Sequence, residues 1–307
     1  MSRFRVAFSG DFLNPDGSPA YPMFDLTALN EAGDIEVEYV APVDGRMTAE
    51  SLADFDALIL LAALFDAKSI PTDGRLGLVA RFGVGYDTVD VEACSKAGIG
   101  LVITPDGVRR PVAVAILTFI LALSGKLFDK DKLTRQGPAG FAKRSNHMGM
   151  GLVGRTLGSI GIGNIGAETF RMCTPLEMKF LAHDPWADPE VARDIGVQLV
   201  DLNTLFRESD FLCVNTPLTS ETHHIVNAET LAMMKATAYL INTSRGPTVD
   251  QVALLEALKA GAIAGAGLDV LDPEPPQADD PILHLDNVIT TPPVSYTHLT
   301  LPTSDLV

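Results

Sequence analysis

Gly161, Gly163 and Gly166 are spaced G-x-G-x-x-G directly after the apolar run Leu157–Ile160. A loop of that spacing brings backbone N–H groups up to a phosphate. The first glycine permits a tight turn, the second lets phosphates approach the backbone, and the third lets the next helix pack on the strand. Asn164 and Ile165 would open that helix, whose free N–H groups and positive dipole end face an anion. Glycines so spaced also serve plain strand–helix turns, so the rest of the pattern matters. Met178–Asp184 reads as a second strand ending in a carboxylate, eighteen positions past Gly166. A carboxylate there accepts hydrogen bonds from ribose hydroxyls and repels a 2′-phosphate. No arginine follows it in Pro185-Trp186-Ala187, so the dinucleotide is read as NAD rather than NADP.

Three further strand ends carry polar residues: Asn215-Thr216-Pro217, Asn242-Thr243-Ser244-Arg245-Gly246, and Asp269 with Glu274 downstream. In an open α/β sheet ligands bind outside the carboxyl ends of the strands. Arg245, Asp269 and Glu274 would then converge beside the dinucleotide. Each alone has a plainer reading: a surface arginine, a turn cap and a solvated loop charge. Their succession on neighbouring strand ends favours a site.

These residues need a parallel sheet to hold them. Strand-like runs alternate with helical patterns along the chain, the mark of α/β layers. In the first third the strands are Arg5–Ser9, Ile35–Tyr39, Ala57–Leu61, Leu78–Phe82 and Gly100–Ile103. Beyond the glycine loop they are Phe211–Asn215, Ala238–Asn242, Ala264–Val270 and Asn287–Thr291. Thr104-Pro105-Asp106-Gly107 reads as a turn cluster and boundary. Val112–Leu123 reads as a buried apolar helix, too short to span a bilayer. Residues 136–151 read as an exposed loop. The fold class is α/β, with two doubly wound parallel-sheet domains.

Composition narrows the classes. The chain has 307 residues, 47% hydrophobic and 20% charged, with net charge −16. Length and composition suit two soluble globular domains. The acidic balance speaks against nucleic-acid binding, which needs a basic face. The N-terminus reads as a first strand rather than a signal peptide. Cys94, Cys173 and Cys213 are scattered and odd in number, which points to a reducing, cytoplasmic compartment and to buried thiols. None stands at a metal-ligand spacing, and no metal site is expected.

On these motifs the chain resembles the D-isomer-specific 2-hydroxyacid dehydrogenases. The resemblance covers residues 40–293. It rests on Ala80-Arg81-Phe82-Gly83-Val84-Gly85-Tyr86-Asp87, the glycine fingerprint, Asn215-Thr216-Pro217-Leu218-Thr219, Ile241–Gly246 and Gly267-Leu268-Asp269-Val270. It implies a flavodoxin-like substrate domain over residues 1–105 and a Rossmann NAD-binding domain over 106–293. The implied substrate is a small 2-keto or 2-hydroxy acid, with no nucleic-acid or membrane partner, and a homodimer built around the Val112 helix is expected. Arg245 would bind the substrate carboxylate and carbonyl, a task that suits a planar guanidinium fork. Backbone N–H groups at Val84 and Gly85 would hold the substrate carboxylate. Thr216, Pro217, Thr243 and Asp269 would line the cofactor, with Asp269 on its carboxamide. Glu274 would orient a catalytic histidine and raise its pKa.

That histidine is missing. The family pattern is Thr-Pro-His, and the chain reads Thr291-Pro292-Pro293. His147, His183, His223, His224 and His284 stand elsewhere, and His298 comes five residues late. Val294–Thr303 resembles the conceptual translation of a sequencing adapter, so residues 294–307 are expected to be a non-native tail. Pro293 is then read as a histidine codon cut after its first base. The other reading is a true Pro293 in an inactive paralogue. A second departure is Val108-Arg109-Arg110-Pro111. Arg109 or Arg110 would bind an extra anionic group on the substrate, or the pair is simply exposed. Two functions follow: an NAD-dependent dehydrogenase, or a catalytically inactive NAD(H)-binding module. A methyltransferase with the same glycine loop explains neither Arg245 nor Asp269.

Overall fold

Short apolar runs broken by glycine and polar turns form parallel strands here, and the helices between them cover both sheet faces. The computed structural model describes residues 3–22 and 24–293, so the residues read as a non-native tail lie outside it. The chain divides into two compact units between Val108 and Arg109.

The first unit holds β1 (Phe4–Ser9), α1 (Thr27–Glu31), β2 (Ile35–Val40), β3 (Ala57–Leu60), β4 (Leu78–Arg81), α2 (Val91–Ala97) and β5 (Gly100–Ile103). Its strands lie in the order β2-β1-β3-β4-β5, with every pairing parallel. That is the flavodoxin order, with a switch point between β1 and β3. One side of the sheet packs Met47, Leu58, Leu60, Phe65 and Val79. The other carries an aromatic cluster in which Phe12 meets Phe8, Phe24 and Phe82.

The second unit opens with α3 (Pro105–Gly125), α4 (Leu127–Arg135) and α5 (Pro138–Phe141), though the first turn of α3 belongs to the first unit. Then come β6 (Thr156–Ile160), α6 (Asn164–Cys173), β7 (Lys179–His183), α7 (Pro189–Asp194), β8 (Val197–Leu199), α8 (Leu202–Glu208), β9 (Phe211–Val214), α9 (Ala228–Met233), β10 (Tyr239–Asn242), α10 (Gln251–Lys259), β11 (Gly265–Leu268) and β12 (Val288–Thr290). The strand order is β12-β11-β10-β9-β6-β7-β8, again all parallel. This is the Rossmann order with one added edge strand, and it switches between β6 and β9. Those two strands and β10 are buried throughout, as a sheet covered on both faces requires.

The sequence reading needs several corrections. Thr104–Gly107 is not a turn beyond its first residue. Pro105 begins α3, because a proline at the first helical position gives up an N–H that has no partner there anyway and presets φ. The units therefore part inside a helix, three residues after the expected boundary. At 21 residues, α3 is also long and apolar enough to cross a membrane by length and composition, so the argument from shortness fails. Val112, Ile116, Phe119, Ile120 and Leu123 are buried in the protein, as in a core helix. Residues 136–151 contain α5 and a 3-10 turn, Arg144–His147, rather than plain loop. β8 escaped notice because three residues carry no readable period; pairing with β7 forms it. The three cysteines are free and buried, as expected. Burial pushes the Cys173 thiol up to about 11 and the Cys213 thiol well above its ordinary value, so neither is a thiolate near neutral pH.

Candidate active site

The glycine loop is fixed by backbone geometry. Gly161 sits at φ 91°, and a Cβ there would lie 2.7 Å from the Asn215 carbonyl oxygen. A Cβ on Gly166 would lie 2.6 Å from the Gly161 carbonyl oxygen. Only glycine meets both demands. Gly163 differs: it is exposed, nothing lies within 4 Å of where its Cβ would stand, and it caps α6 with no side-chain hydrogen bond. Asn164 and Ile165 form the first turn of this ten-residue helix, whose leading N–H groups have no intrahelical acceptor. An open cradle at the positive end of a helix suits a pyrophosphate.

Side chains brace the loop from below. Ser159 Oγ donates to the Gly161 carbonyl at 2.6 Å, and Asn215 Nδ2 donates to Ser159 Oγ at 2.9 Å. Asp184 stands beside the loop at the end of β7. Its Oδ2 accepts the Ile162 N–H at 3.0 Å and its Oδ1 accepts the Trp186 N–H at 2.9 Å. The carboxylate is thus held in place with lone pairs to spare for hydroxyl donors.

The strand ends on the far side of β6 are held mostly by side chains. Asn242 ends β10, is 1% exposed, and binds the turn that carries Arg245. Ser244 Oγ donates to the Thr216 carbonyl, tying this turn to the end of β9. Pro217 is exposed, and its carbonyl accepts from Thr222 Oγ1 at 2.6 Å. Thr243 Oγ1 is buried with no hydrogen-bond partner, an orphan that asks for an acceptor or donor from outside the protein. Asp269 follows β11 and is 3% exposed. Its Oδ1 accepts from Thr291 Oγ1 at 2.7 Å, so the residue two before Pro293 is anchored on it. A Cβ on Gly246 would strike the Leu271 carbonyl, so the Arg245 turn and the segment leading to Glu274 touch. Gln251 Oε1 accepts the Asp272 N–H at 3.0 Å and Gln251 Nε2 donates to Asp280 Oδ2 at 2.9 Å, spanning the loop that bears Glu274. Glu274 is on the surface, yet neighbouring protein atoms desolvate its carboxyl and raise its pKa. Arg245 opposes the rise and Asp269 adds to it. Arg245, Asp269 and Glu274 therefore share one electrostatic neighbourhood.

In the first unit, the strand end before Val84 and Gly85 is a strained turn. Gly83 lies at φ 129°, where a Cβ would strike the Arg81 guanidinium. Thr104 clasps it: Gly83 N donates to Thr104 Oγ1 at 2.8 Å and Thr104 N donates to the Gly83 carbonyl at 2.9 Å. The N–H groups of Val84 and Gly85 donate to no acceptor among the described residues, which leaves a pair of donors at the end of β4.

The basic pair divides. Arg110 NH1 donates to Glu168 Oε1 at 2.8 Å, while its side chain stays 70% exposed. Glu168 is 8% exposed, and a carboxylate that buried needs its partner. Arg109 is half-buried. His223 and His224 stack on each other at 3.9 Å, and His284 bonds the Ala278 carbonyl. Among the described residues no cluster could hold a metal. Ser159, Thr248 and Gln251 were not singled out from sequence, and Asn242 was named only as part of a polar strand end.

Residues 117–295 match the family model described as D-isomer specific 2-hydroxyacid dehydrogenase, NAD binding domain. A glyoxylate reductase of Korarchaeum cryptofilum is 40% identical over 254 residues, covering 82% of this chain and 76% of that protein. A D-3-phosphoglycerate dehydrogenase of Archaeoglobus fulgidus is 36% identical over 85% of this chain, which spans about half, 49%, of that longer protein. D-Lactate dehydrogenase from Aquifex aeolicus, solved with NAD and lactic acid, superposes with a TM-score of 0.78 at 29% identity, covering 95% of this chain and 89% of that one.

Proposed function

Since the chain belongs to the D-isomer-specific 2-hydroxyacid dehydrogenase family, we propose that the rim of its second unit interconverts a 2-keto acid and a D-2-hydroxy acid with NAD. One observation carries this reading: Arg245, Asp269 and Glu274 share one neighbourhood at the ends of β10 and β11, in the sheet that also bears the open glycine cradle.

Bound NAD supplies or accepts the hydride. The chain's own residues do the rest. The Arg245 fork meets the substrate carboxylate and the carbonyl oxygen, and its charge draws electron density off the carbonyl carbon. Val84 and Gly85, in the first unit, offer backbone N–H donors of the kind that suits a carboxylate. Asp269, fixed by Thr291, takes the carboxamide end of the cofactor, and Asp184 takes the ribose hydroxyls. Thr216, Pro217 and Thr243 line the path between. Pro293 stands where a proton donor is needed and has none, so the chain as written binds its ligands and turns over slowly. That observation favours a second reading, an NAD(H)-binding module without catalysis.

A keto-acid panel separates the two. With NADH, glyoxylate is the first substrate to try, given the names of the relatives, followed by pyruvate and hydroxypyruvate. Slow but saturable NADH oxidation supports the enzyme. Tight NADH binding with no turnover for any keto acid supports the module. Failure to bind NADH removes both.

The assembly is proposed as a cytoplasmic homodimer. Val114 and Leu121 on α3, Leu127 and Phe128 on α4, and Phe141 and Met148 beyond them are exposed apolar residues on one stretch of the second unit, and surfaces of that kind mark interfaces. Sedimentation at several concentrations tests it; a monomer throughout overturns it.

A further inference from the structure

Arg245 lies just past a strand, in a turn that no regular ladder holds. Its backbone is extended, at φ −141° and ψ 143°. Its carbonyl accepts three donors: Asn242 Nδ2 at 2.9 Å, Thr248 Oγ1 at 2.6 Å and Thr248 N at 3.2 Å. One residue earlier, the Ser244 N–H donates to Asn242 Oδ1 at 3.1 Å. Asn242 Nδ2 also reaches Thr248 Oγ1 at 3.3 Å. A single side chain thus grips the turn on both sides of the Arg245 Cα, which sets the direction in which the guanidinium leaves the backbone.

Asn242 is itself immovable. It is the last residue of a central strand, 1% exposed, and its carbonyl accepts the Asp269 N–H at 2.9 Å. We propose that Asn242 is the positioning residue that aims Arg245 at the substrate. This rests on Arg245 being the substrate arginine.

The chemistry demands an amide. Asn offers a donor and an acceptor from one rigid group. Aspartate would keep the acceptor for Ser244 but set a second acceptor against the Arg245 carbonyl. Leucine would fill the space and leave the turn's polar groups unsatisfied in a buried place. The glycine loop is braced through Ser159, Asn215 and Asp184 instead, so a change at Asn242 should cost oxamate more than NADH.

The test is the binding of oxamate, a stable 2-keto acid analogue, to the NADH-loaded chain, measured by calorimetry. Asn242→Asp is expected to weaken oxamate by about 10- to 100-fold, the scale of misplacing a binding group by an ångström, with a smaller loss of NADH affinity. Arg245→Ala is expected to lose at least as much, and the double variant no more than Arg245→Ala alone, because both act through one guanidinium. If Asn242→Asp binds oxamate like the parent while Arg245→Ala does not, or if the two losses add, the proposal is overturned alone. If Arg245→Ala keeps oxamate, the site reading falls and this proposal with it. Should Asn242→Asp fail to fold, Thr248→Val and Thr248→Ser decide: the serine is expected to bind oxamate as the parent does and the valine to lose affinity, and equal affinities overturn the proposal.

Discussion

The two halves of the second unit's rim are built on different plans. On the glycine side of the switch point the loop offers backbone N–H donors, braced by Ser159 and Asn215, with one side chain, Asp184, beside it. On the Arg245 side the polar groups are side chains, and two are held by another side chain: the Arg245 turn by Asn242, three residues back, and Asp269 by Thr291, 22 residues on. Backbone sites are robust to most substitutions but not to the loss of glycine. Side-chain sites depend on single groups: Thr291 is anchored on Asp269, and Pro293, two residues later, has no proton to give.

That asymmetry yields the largest expected effect. Pro293→His should raise the rate of keto-acid reduction by about a hundred- to ten-thousand-fold, the usual worth of a placed general acid. NADH affinity should not move, since the glycine half is untouched. Steady-state kinetics with glyoxylate, beside an NADH titration, reads both. A restored histidine that leaves the rate where it was would make the non-catalytic module the better account of the chain.

Within the glycine half, two glycines of one motif should part company. Gly161→Ala meets a positive φ and a carbonyl at 2.7 Å, and backbone strain of that kind costs about 1–3 kcal/mol, so the melting temperature should fall along with NADH affinity. Gly163→Ala meets open space and should leave the melting temperature alone, yet weaken NADH by roughly tenfold or more, about 1.4 kcal/mol, because the methyl occupies the phosphate cradle. Equal thermal stability for the two variants, or intact NADH binding in Gly163→Ala, would break the distinction between the structural and the ligand-facing glycine.

The same contrast explains what was legible in the sequence. Gly161, Gly163, Gly166 and Asp184 could be read because each backbone demand has one cheap solution, and it leaves a letter in the chain. The strands were readable from short apolar runs or, in Ile35–Val40, from alternation, and β8 was not, because neighbours rather than its own residues make it a strand. The start of α3 was missed because proline and glycine near a helix end look like a turn until the helix is seen to need an N1 residue. Asn242 was named only as part of a polar strand end, without a role, and Gln251 and Ser159 were not assigned one. Their importance lies in partners distant along the chain, as with Ser159 and Asn215, or in a buried geometry that spacing does not encode. The Arg110 partner, Glu168, was hidden for the same reason, lying far along the chain on α6.

Glu274 offers a pH-dependent test of the side-chain half. Desolvation is the main cause of its raised pKa, and Asp269 adds to it against the pull of Arg245. A carboxyl whose folded pKa lies above its unfolded value favours the fold while protonated, and that contribution fades as pH climbs through the folded pKa. Glutamine stays neutral throughout. The melting temperatures of the parent and Glu274→Gln should therefore coincide in acid, below the ordinary carboxylate range. They should separate in favour of glutamine as pH rises above it. A gap that is constant with pH, or that opens in the other direction, would show that the carboxyl is not held in a desolvating place.

The smallest effect is expected at Arg109, at the start of the second unit. Arg110 is paired with Glu168, so the test of an extra anion site is made at Arg109. It should add nothing to a small keto acid whose carboxylate is already met by Arg245. For a dicarboxylate or a phosphorylated keto acid, an extra charged hydrogen bond is worth about 1.5–3 kcal/mol at most, and less at a half-exposed position. Arg109→Ala should then raise KM for the larger anion by several-fold, roughly 1 kcal/mol, and leave KM for glyoxylate and both kcat values where they were. If KM rises equally for both substrates, Arg109 acts on the shape of the site rather than on its choice of substrate. Specificity must then be sought in groups that, like Asn242, show themselves only in the fold.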